Sequence, residues 1–189
     1  NGDVAYYVSN YPTVEDAIRR TNLIATVAME YTPDAVSGQR IIKFFVYLGN
    51  DKRVGSADLD GAGQKNVPNL CVICHGLRKF TGSADLGARF LPFDLSSFQY
   101  SATLGRNGQE SEFKKLNLGL LNTNPSAATT ELVRAWYKGT APTDPDFVST
   151  AQNSDAVPSN WGGPTDLYLE VIKPSCRACH ISRNATKDF

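Results

Sequence analysis

The chain has 189 residues, enough for one medium domain or two small lobes. Its apolar content of 41% is ordinary for a globular protein. The 19 basic residues balance 19 acidic ones, so the zero net charge gives no nucleic-acid or membrane-surface signature. No apolar run approaches the roughly 20 residues of a membrane-spanning helix, and the first residues lack the pattern of a signal peptide.

The N-terminal third of the chain predicts one short helix followed by a β-hairpin. Residues 13–16 are a capping-box-like start for a helix that ends near Asn22. Alternating apolar residues over 23–31 predict one strand, and a β-branched and aromatic stretch over 41–48 predicts another. The segment between them is rich in turn residues, so we expect the two strands to form a hairpin.

Two amphipathic helices are predicted in the middle of the chain, between irregular segments over 82–101 and 141–160. Asn124 and Pro125 begin the second of these helices, as cap and first residue, and Gly139 ends it. The two apolar stripes consist of Phe113, Leu116, Leu120 and Leu121 in the first helix, and of Leu132, Val133, Trp136 and Tyr137 in the second.

Two further helical turns are predicted near pairs of proline and capping residues. Pro68 and Asn69 offer an N-cap for a helical segment that follows them. Thr165 is predicted to cap a last amphipathic helix that runs through Ile172; Pro174 would end it, and Ser175 would cap the next turn.

All four cysteines and both histidines of the chain fall inside two copies of one pattern. The copies are Cys71-Val72-Ile73-Cys74-His75 and Cys176-Arg177-Ala178-Cys179-His180. On a helical turn, residues at positions i, i+3 and i+4 share a face. Cys-x-x-Cys-His is the attachment signal of c-type haem, in which two thiols bond the haem and the histidine ligates the iron. The chain therefore resembles dihaem c-type cytochromes.

A Cys-x-x-Cys pair also occurs in redox disulfides and in zinc sites. Redox motifs normally lie near a βαβ pattern, and none flanks either copy. Zinc takes four ligands, whereas each motif offers three. Cys74 and Cys176 are also much farther apart than the roughly 15–20 residues that separate the pairs of a zinc ribbon. Haem attachment is the favoured interpretation.

The resemblance implies a mainly α haem-binding fold with long loops and an N-terminal β-hairpin. The helix and hairpin would form a lobe over 1–60 and the dihaem cytochrome region would occupy 61–189, unless both belong to a single domain. Two covalently bound haem c groups are implied, with His75 and His180 as iron ligands. The cofactor-binding residues would be Cys71, Cys74, His75, Cys176, Cys179 and His180.

The resemblance also implies a location and a kind of partner. Because bacteria attach c-type haem after export, it implies a periplasmic or extracellular protein. The implied partners are a redox protein donor and acceptor, without nucleic acid or a membrane span. Only nine residues follow His180, so we expect the second haem to be exposed at an edge or covered by another chain, as in a homo-oligomer or a larger cytochrome assembly.

The number of candidate ligands limits the coordination of the two irons. Haem iron in electron-transfer proteins usually takes a second His or Met ligand. Both histidines are already used, and Met29 is the single methionine of the chain. We therefore predict Met29 as a metal ligand, although a buried core methionine is the equally ordinary alternative. The other iron would be open, bind water, take a different side chain or the terminal amine, or take a ligand from another protein.

Charged and aromatic residues near the motifs have two interpretations each. Arg177, together with Arg78, Lys79 and Arg183, would either pair with haem propionates and acidic partners or be solvated. Trp136 and Trp161 favour core packing over a haem pocket.

Electron transfer is the leading functional hypothesis, with unequal haem potentials giving electron flow a direction. The alternatives are a haem enzyme or gas sensor with one open iron site, and a subunit of a polymeric cytochrome assembly.

Overall fold

The computed structural model describes residues 2–59, 61–76, 84–137, 149–159 and 161–181, and for Cys179 it describes the backbone alone. The chain divides into two compact units, Gly2–Ala88 and Arg89–Phe189. Each unit contains one of the two Cys-x-x-Cys-His motifs. Within the described ranges, none of the helices combines the length and the apolar character needed to cross a membrane.

The first unit is organised around a four-stranded antiparallel sheet in the order β1-β2-β3-β4. A separate two-stranded sheet contains β5 and β6, and Ala25, Val46 and Ala57 form a small buried cluster in this unit. The strands are β1 (Val4–Asn10), β2 (Ala25–Pro33), β3 (Arg40–Leu48), β4 (Arg53–Val54), β5 (Ser56–Ala57) and β6 (Lys65–Asn66).

The predicted hairpin is confirmed, whereas the predicted mainly α fold is wrong. Strands β2 and β3 pair along their whole length, from Ala25 opposite Leu48 to Pro33 opposite Arg40. Together with β1 and β4 they make the chain a mixed protein of helices and an antiparallel sheet. The strand β1 was not predicted because the sequence Val-Ala-Tyr-Tyr-Val-Ser-Asn does not alternate between apolar and polar residues.

One helix of the first unit begins where the sequence predicts, and a second begins at the residue that was predicted as its cap. In α1 (Val14–Arg19), the hydroxyl of Thr13 accepts a hydrogen bond from the backbone N–H of Asp16 at 3.0 Å, which confirms the predicted cap. The helix α2 (Asn69–His75) carries the first motif. Pro68 occupies its cap position without a side-chain bond, so Asn69 is the first helical residue and not the cap.

The second unit contains both predicted helices, α3 (Arg106–Leu121) and α4 (Ala127–Tyr137). In the predicted apolar stripe of α3 only Leu120 is buried, and the other three residues are half-buried. The predicted stripe of α4 is confirmed, because all four of its residues are buried in the core cluster of this unit. The cap of α4 is Ser126, whose hydroxyl accepts from the backbone N–H of Thr129 at 3.0 Å. The prediction of Asn124 as the cap is therefore wrong, and the predicted end at Gly139 lies outside the described residues.

The last helical stretch does not end at Pro174 as predicted. It runs through α5 (Thr165–Leu167), a π-helical turn (Tyr168–Ile172), α6 (Lys173–Ser175) and α7 (Arg177–His180). Pro174 is tolerated because it lies in the first turn of α6, where its missing N–H is not needed for an intrahelical bond. Cys176, rather than Ser175, occupies the position before α7.

Candidate functional site

The first motif lies on one helical face at the end of the first unit. The backbone N–H groups of Cys71 and Val72 donate to the carbonyl of Pro68 at 2.8 and 3.1 Å, and Gly76 donates to Val72 at 3.0 Å. The motif residues therefore have helical spacing, which brings Cys71, Cys74 and His75 to the same side of α2.

The described motif cysteines are not joined by disulfides, and the Cys71 thiol has a raised pKa. Cys71, Cys74 and Cys176 form no disulfide. Burial, with a smaller contribution from Cys74, raises the pKa of the Cys71 thiol to about 11. Because the thiolate is the form that ligates metals and attacks electrophiles, this environment does not favour a nucleophilic or thiolate-ligating role for Cys71.

The sheet lies directly against the histidine of the first motif. The rings of His75 and Phe44 have their centroids 5.9 Å apart, at an interplanar angle of 59°. Phe44 on β3 is the register partner of Met29 on β2, and their exposed fractions are 8% and 7%. Directly opposite residues of an antiparallel pair project to the same face. The structure thus places Met29 one cross-strand position from the ring that contacts His75.

A cavity of about 650 Å³ lies near the first motif. Phe44 and Pro68 line it, whereas the thiols and the histidine of the motif do not. Its other walls are mainly apolar, with positive charge from Lys43 and Arg53 and negative charge from Asp34. Cofactor pockets measure about 300–1,000 Å³ and are mostly apolar with a few polar groups. The cavity has this size and this mainly apolar character.

The second motif is also one helical turn, and it continues the helical stretch before it. The backbone N–H of Cys176 donates to Ile172 at 2.9 Å, and that of His180 donates to Cys176 at 3.1 Å. Cys176 and His180 are half-buried. The side chain of Cys179 is outside the described part of the chain.

One side of this helical turn packs against the core of the second unit. Arg177 and Ile181 lie four residues apart on that side and are 5% and 7% exposed. Ile181 belongs to the core cluster, and its carbonyl accepts a hydrogen bond from the hydroxyl of Ser126 at 2.7 Å. The neighbouring side, with Cys176 and His180, is left partly accessible.

Arg177 is buried in an ion pair, so the interpretation of this residue as a solvated charge is wrong. Its guanidinium donates to the carboxylate of Asp94 and, across 3.5 Å, to the hydroxyl of Tyr168. The guanidinium carbon lies 5.7 Å from the ring centre of Trp136 and 5.9 Å from that of Tyr168. The cation is therefore stabilised by one carboxylate and two aromatic faces. Arg78, Lys79 and Arg183 lie outside the described residues.

Asp94 is fixed by its own surroundings as well as by Arg177. Burial by itself raises the pKa of Asp94, but the hydrogen bonds from Ser96 and the charge of Arg177 outweigh it and hold the pKa below its ordinary value. The flanking backbone is held by two buried amides: Phe93 donates to Asn117 and Leu95 donates to Gln152, both at 2.8 Å. Asp94 is thus a preorganised partner for Arg177.

The cavity described beside the second motif is smaller than the one near the first. A cavity of about 130 Å³ lies next to the ion pair, with Trp136, Arg177 and Ala178 among its walls. This volume is below the usual range of cofactor pockets. The indole N–H of Trp136 is buried and has no hydrogen-bond partner among the described residues. The described surroundings therefore fit the edge of a bound group and not a whole macrocycle.

The tryptophans fit the predicted packing role. Trp136 is fully buried in the core cluster of the second unit. Trp161 packs against Tyr168, with 5.3 Å between ring centroids, and its indole N–H donates to Pro164 at 3.1 Å.

In the part of the chain that the structure describes, no three Cys, His, Asp or Glu residues are grouped so that they could hold one metal ion. The described side chains therefore contain no ready-made zinc site.

Searches against models of protein families, against curated proteins and against solved structures found no match to this chain. Its function must accordingly be argued from its own residues.

Proposed function

We propose that this chain is a dihaem c-type cytochrome that passes single electrons between protein partners, in the periplasm or outside the cell. The observation that supports this most strongly is the pair of Cys-x-x-Cys-His motifs, each of which occupies a helical turn. The described cysteines form no disulfide, and the described residues form no metal cluster. Haem attachment accounts for all four cysteines and both histidines at once.

The roles of the motif residues follow from their chemistry. Each thiol would add across one haem vinyl group, so that sulfur bonds one carbon and the thiol hydrogen passes to the other. His75 and His180 would each ligate one iron. Bound haem would supply one-electron chemistry at its iron. The cysteines holding the two groups would be Cys71 and Cys74 in the first motif, and Cys176 and Cys179 in the second.

Met29 is proposed as the second ligand of the iron held by His75. Both residues belong to the first unit, and Phe44 connects them by a ring contact on one side and strand pairing on the other. A His/Met iron has a higher reduction potential than one with a nitrogen or oxygen ligand in place of methionine. If Met29 ligates the first iron, the two haems differ in reduction potential, and electron transfer between them is favoured in one direction.

A haem enzyme or gas sensor is the second candidate, favoured by the ligand count. After His75, His180 and Met29 are assigned, the chain has no further His or Met for the second iron. That iron would be open, weakly ligated or completed by a partner. The electron-transfer protein could also be a subunit of a polymeric assembly. In that case another copy of the chain would supply a ligand to the second iron or cover the second haem.

Carbon monoxide binding to the reduced protein separates these candidates. Carbon monoxide binds open ferrous haem and changes its visible absorption. No spectral change would support a dedicated electron carrier with two six-coordinate irons. A change in about half of the haem would favour the open-site candidate. Size-exclusion chromatography over a range of concentrations tests the assembly, because a monomer throughout would remove it.

A further inference from the structure

We propose that the cavity of about 650 Å³ is a docking groove for an extended peptide of another protein, which adds to the edge of β3 as a strand and places an acidic residue beside Arg53. The inference goes beyond the proposed function, because it requires no haem at either motif. The residues that line the cavity all lie in the first unit.

The strand β4 covers one end of β3 and then leaves it. Both residues of β4 pair with β3, at Val46 and Tyr47. The next residue, Gly55, accepts a hydrogen bond at its carbonyl from the backbone N–H of Val67 at 2.9 Å. The chain continues into β5, which pairs with β6 in the separate sheet. Residues 41–45 of β3 therefore lie beyond the end of β4, and all five line the cavity.

The backbone groups of Ile42 and Phe44 point to this uncovered edge. The N–H of Leu48 donates to the carbonyl of Lys52 at 3.0 Å, so Leu48 directs its backbone groups toward the side of β4. Along an antiparallel strand these directions alternate from one residue to the next, so Ile42 and Phe44 share the direction of Leu48. Among the described residues, no backbone group pairs with theirs on this side. An unpaired edge of this kind is a template for another strand.

The walls beside this edge suit apolar side chains. Val54, Val67 and Leu86 line the cavity together with Ile42 and Phe44. Side chains of a strand alternate between its two faces, and directly opposite residues of an antiparallel pair share a face. A peptide residue opposite Ile42 or Phe44 would therefore face these walls. The occupant that fits carries an apolar residue at every second position.

Arg53 provides a positive charge at the end of the cavity where β4 leaves β3. Its guanidinium carbon lies 4.6 Å from the ring centre of Phe45, and the residue is exposed. It forms no ion pair with a carboxylate of the described residues. The ammonium of Lys43, by contrast, already lies 3.4 Å from the carboxylate of Glu30 and donates to the carbonyl of Pro33 at 3.0 Å. An acidic residue of the occupant thus has Arg53 as its partner.

The charge at the other end of the cavity determines the direction of the peptide. Asp34, whose backbone N–H donates to Gln39 at 2.8 Å, lies where β3 begins and also lines the cavity. Its carboxylate accepts hydrogen bonds from Ser37 and would repel an acidic residue at that end. Antiparallel pairing, which continues the direction of β4, is the more stable kind per residue. A peptide antiparallel to β3 begins near Arg53, so its acidic residue is the first one.

The test measures binding of a labelled probe peptide by fluorescence anisotropy. The probe is acetyl-Glu-Val-Thr-Val-Thr-Val with fluorescein at its C-terminus, and it is titrated with the exported full chain. We expect saturable binding to the unchanged protein. Arg53→Gln should weaken binding about threefold, as for the loss of an exposed ion pair.

Two further protein variants locate the bound probe. Gly55 lines the cavity, and a Cβ at this residue would meet no described atom within 4 Å. Gly55→Leu should therefore fill the groove without a clash and weaken binding on the order of tenfold. Gly108→Leu, in α3 of the second unit, is the control, because a Cβ there also meets no described atom within 4 Å. It should leave binding unchanged.

Two modified probes test strand addition itself. The valine nitrogens would face β3, so their methylation removes hydrogen bonds to Ile42 and Phe44 and should weaken binding on the order of tenfold. The threonine nitrogens would face away from β3, so their methylation should leave the affinity near that of the unmodified probe. Equal affinities of the two modified probes would contradict strand addition.

Three other results would overturn the inference or the proposed function separately. The inference fails if the unmodified probe shows no saturable binding at millimolar concentration, or if Gly55→Leu binds it as well as the unchanged protein does. It also fails if size-exclusion chromatography shows a self-association that Gly55→Leu abolishes, because a second copy then occupies the edge. Intact mass counts haem in the same samples, and absence of haem would overturn the proposed function alone.

Discussion

The two Cys-x-x-Cys-His turns differ in what surrounds them. The first lies against an antiparallel sheet, where the His75 ring contacts Phe44, and Phe44 also lines a mainly apolar cavity of about 650 Å³. The second is held by the buried pair of Arg177 and Asp94 and adjoins a cavity of about 130 Å³. The first turn thus packs on a sheet through an aromatic contact, and the second is held to its unit by a buried ion pair.

This difference shows that the motif sequence sets the local helical turn, whereas other residues set the environment of that turn. Spacing within each motif predicts two thiols and a histidine along one helical face. The residues that contact each motif come from distant parts of the sequence, because Phe44 belongs to a strand and Asp94 lies 83 positions before Arg177. If both turns hold haem, we expect the first haem to be the more enclosed and the second to be the more exposed.

The largest expected effect comes from removal of the thiols. Cys71→Ala with Cys74→Ala should abolish covalent attachment at the first motif alone, and Cys176→Ala with Cys179→Ala at the second alone. Each double variant should retain one haem, because the motifs lie in separate units. Haem staining of denaturing gels and intact mass would measure this. Retention of two covalent haems by either variant would contradict the assignment.

Loss of the buried ion pair should be the largest single-residue effect on folding. Asp94→Asn leaves Arg177 buried without its counter-charge, so we expect the free energy of unfolding to fall by about 3–5 kcal/mol. Both tryptophans lie in the second unit, and their fluorescence during denaturant unfolding reports on it.

Glu15→Gln is the matched control for this prediction. It removes a carboxylate from the exposed pair with Arg19, where the expected loss is about 0.5 kcal/mol or less. Equal effects of the two substitutions would mean that burial of the Arg177–Asp94 pair has no energetic consequence.

A smaller effect on stability, but a selective spectroscopic one, is expected for Met29→Leu. Leucine nearly conserves the buried volume, so the free energy of unfolding should change by less than about 1.5 kcal/mol. If Met29 ligates the first iron, the substitution should change the absorption and lower the potential of one haem of the two. Val46→Ala, in the same sheet without a ligating atom, is the control. Unchanged spectra in Met29→Leu would leave Met29 as a core residue only.

The smallest expected effect is on the acid side of the stability profile. The folded pKa of Asp94 lies below its ordinary value of 3.8, so its ionisation stabilises the fold above that value. This contribution should disappear as the pH falls from about the ordinary value through the folded pKa. The difference in unfolding free energy between the unchanged protein and Asp94→Asn should be constant near neutral pH and shrink in acid. A difference that grew in acid would contradict the assigned direction of the pKa.

Local features of this fold could be predicted from the sequence, and long-range ones could not. The Thr13 cap, the hairpin and the buried stripe of α4 follow from neighbouring residues and are confirmed. The choice of Ser126 over Asn124 as a cap depends on the distant carbonyl of Ile181, to which the Ser126 hydroxyl donates.

The same limit applies to the candidate sites. Regular spacing revealed both motifs, but nothing local to Arg177 pointed to Asp94. The Asp94-Leu95-Ser96 sequence does carry the signal of a capping turn, which the structure contains. Burial of Arg177 between Trp136 and Tyr168 arises only when three separate segments meet. Met29 was predicted as an iron ligand because it is the single methionine of the chain, and the strand register places it opposite Phe44.

The most direct test of the central claim is the intact mass of the denatured protein, after expression and export in a bacterium with the machinery that attaches c-type haem. We predict a mass above that of the 20.6 kDa polypeptide by two haem groups. The unmodified polypeptide mass, or one reduced only by disulfide formation, would contradict the assignment of both motifs.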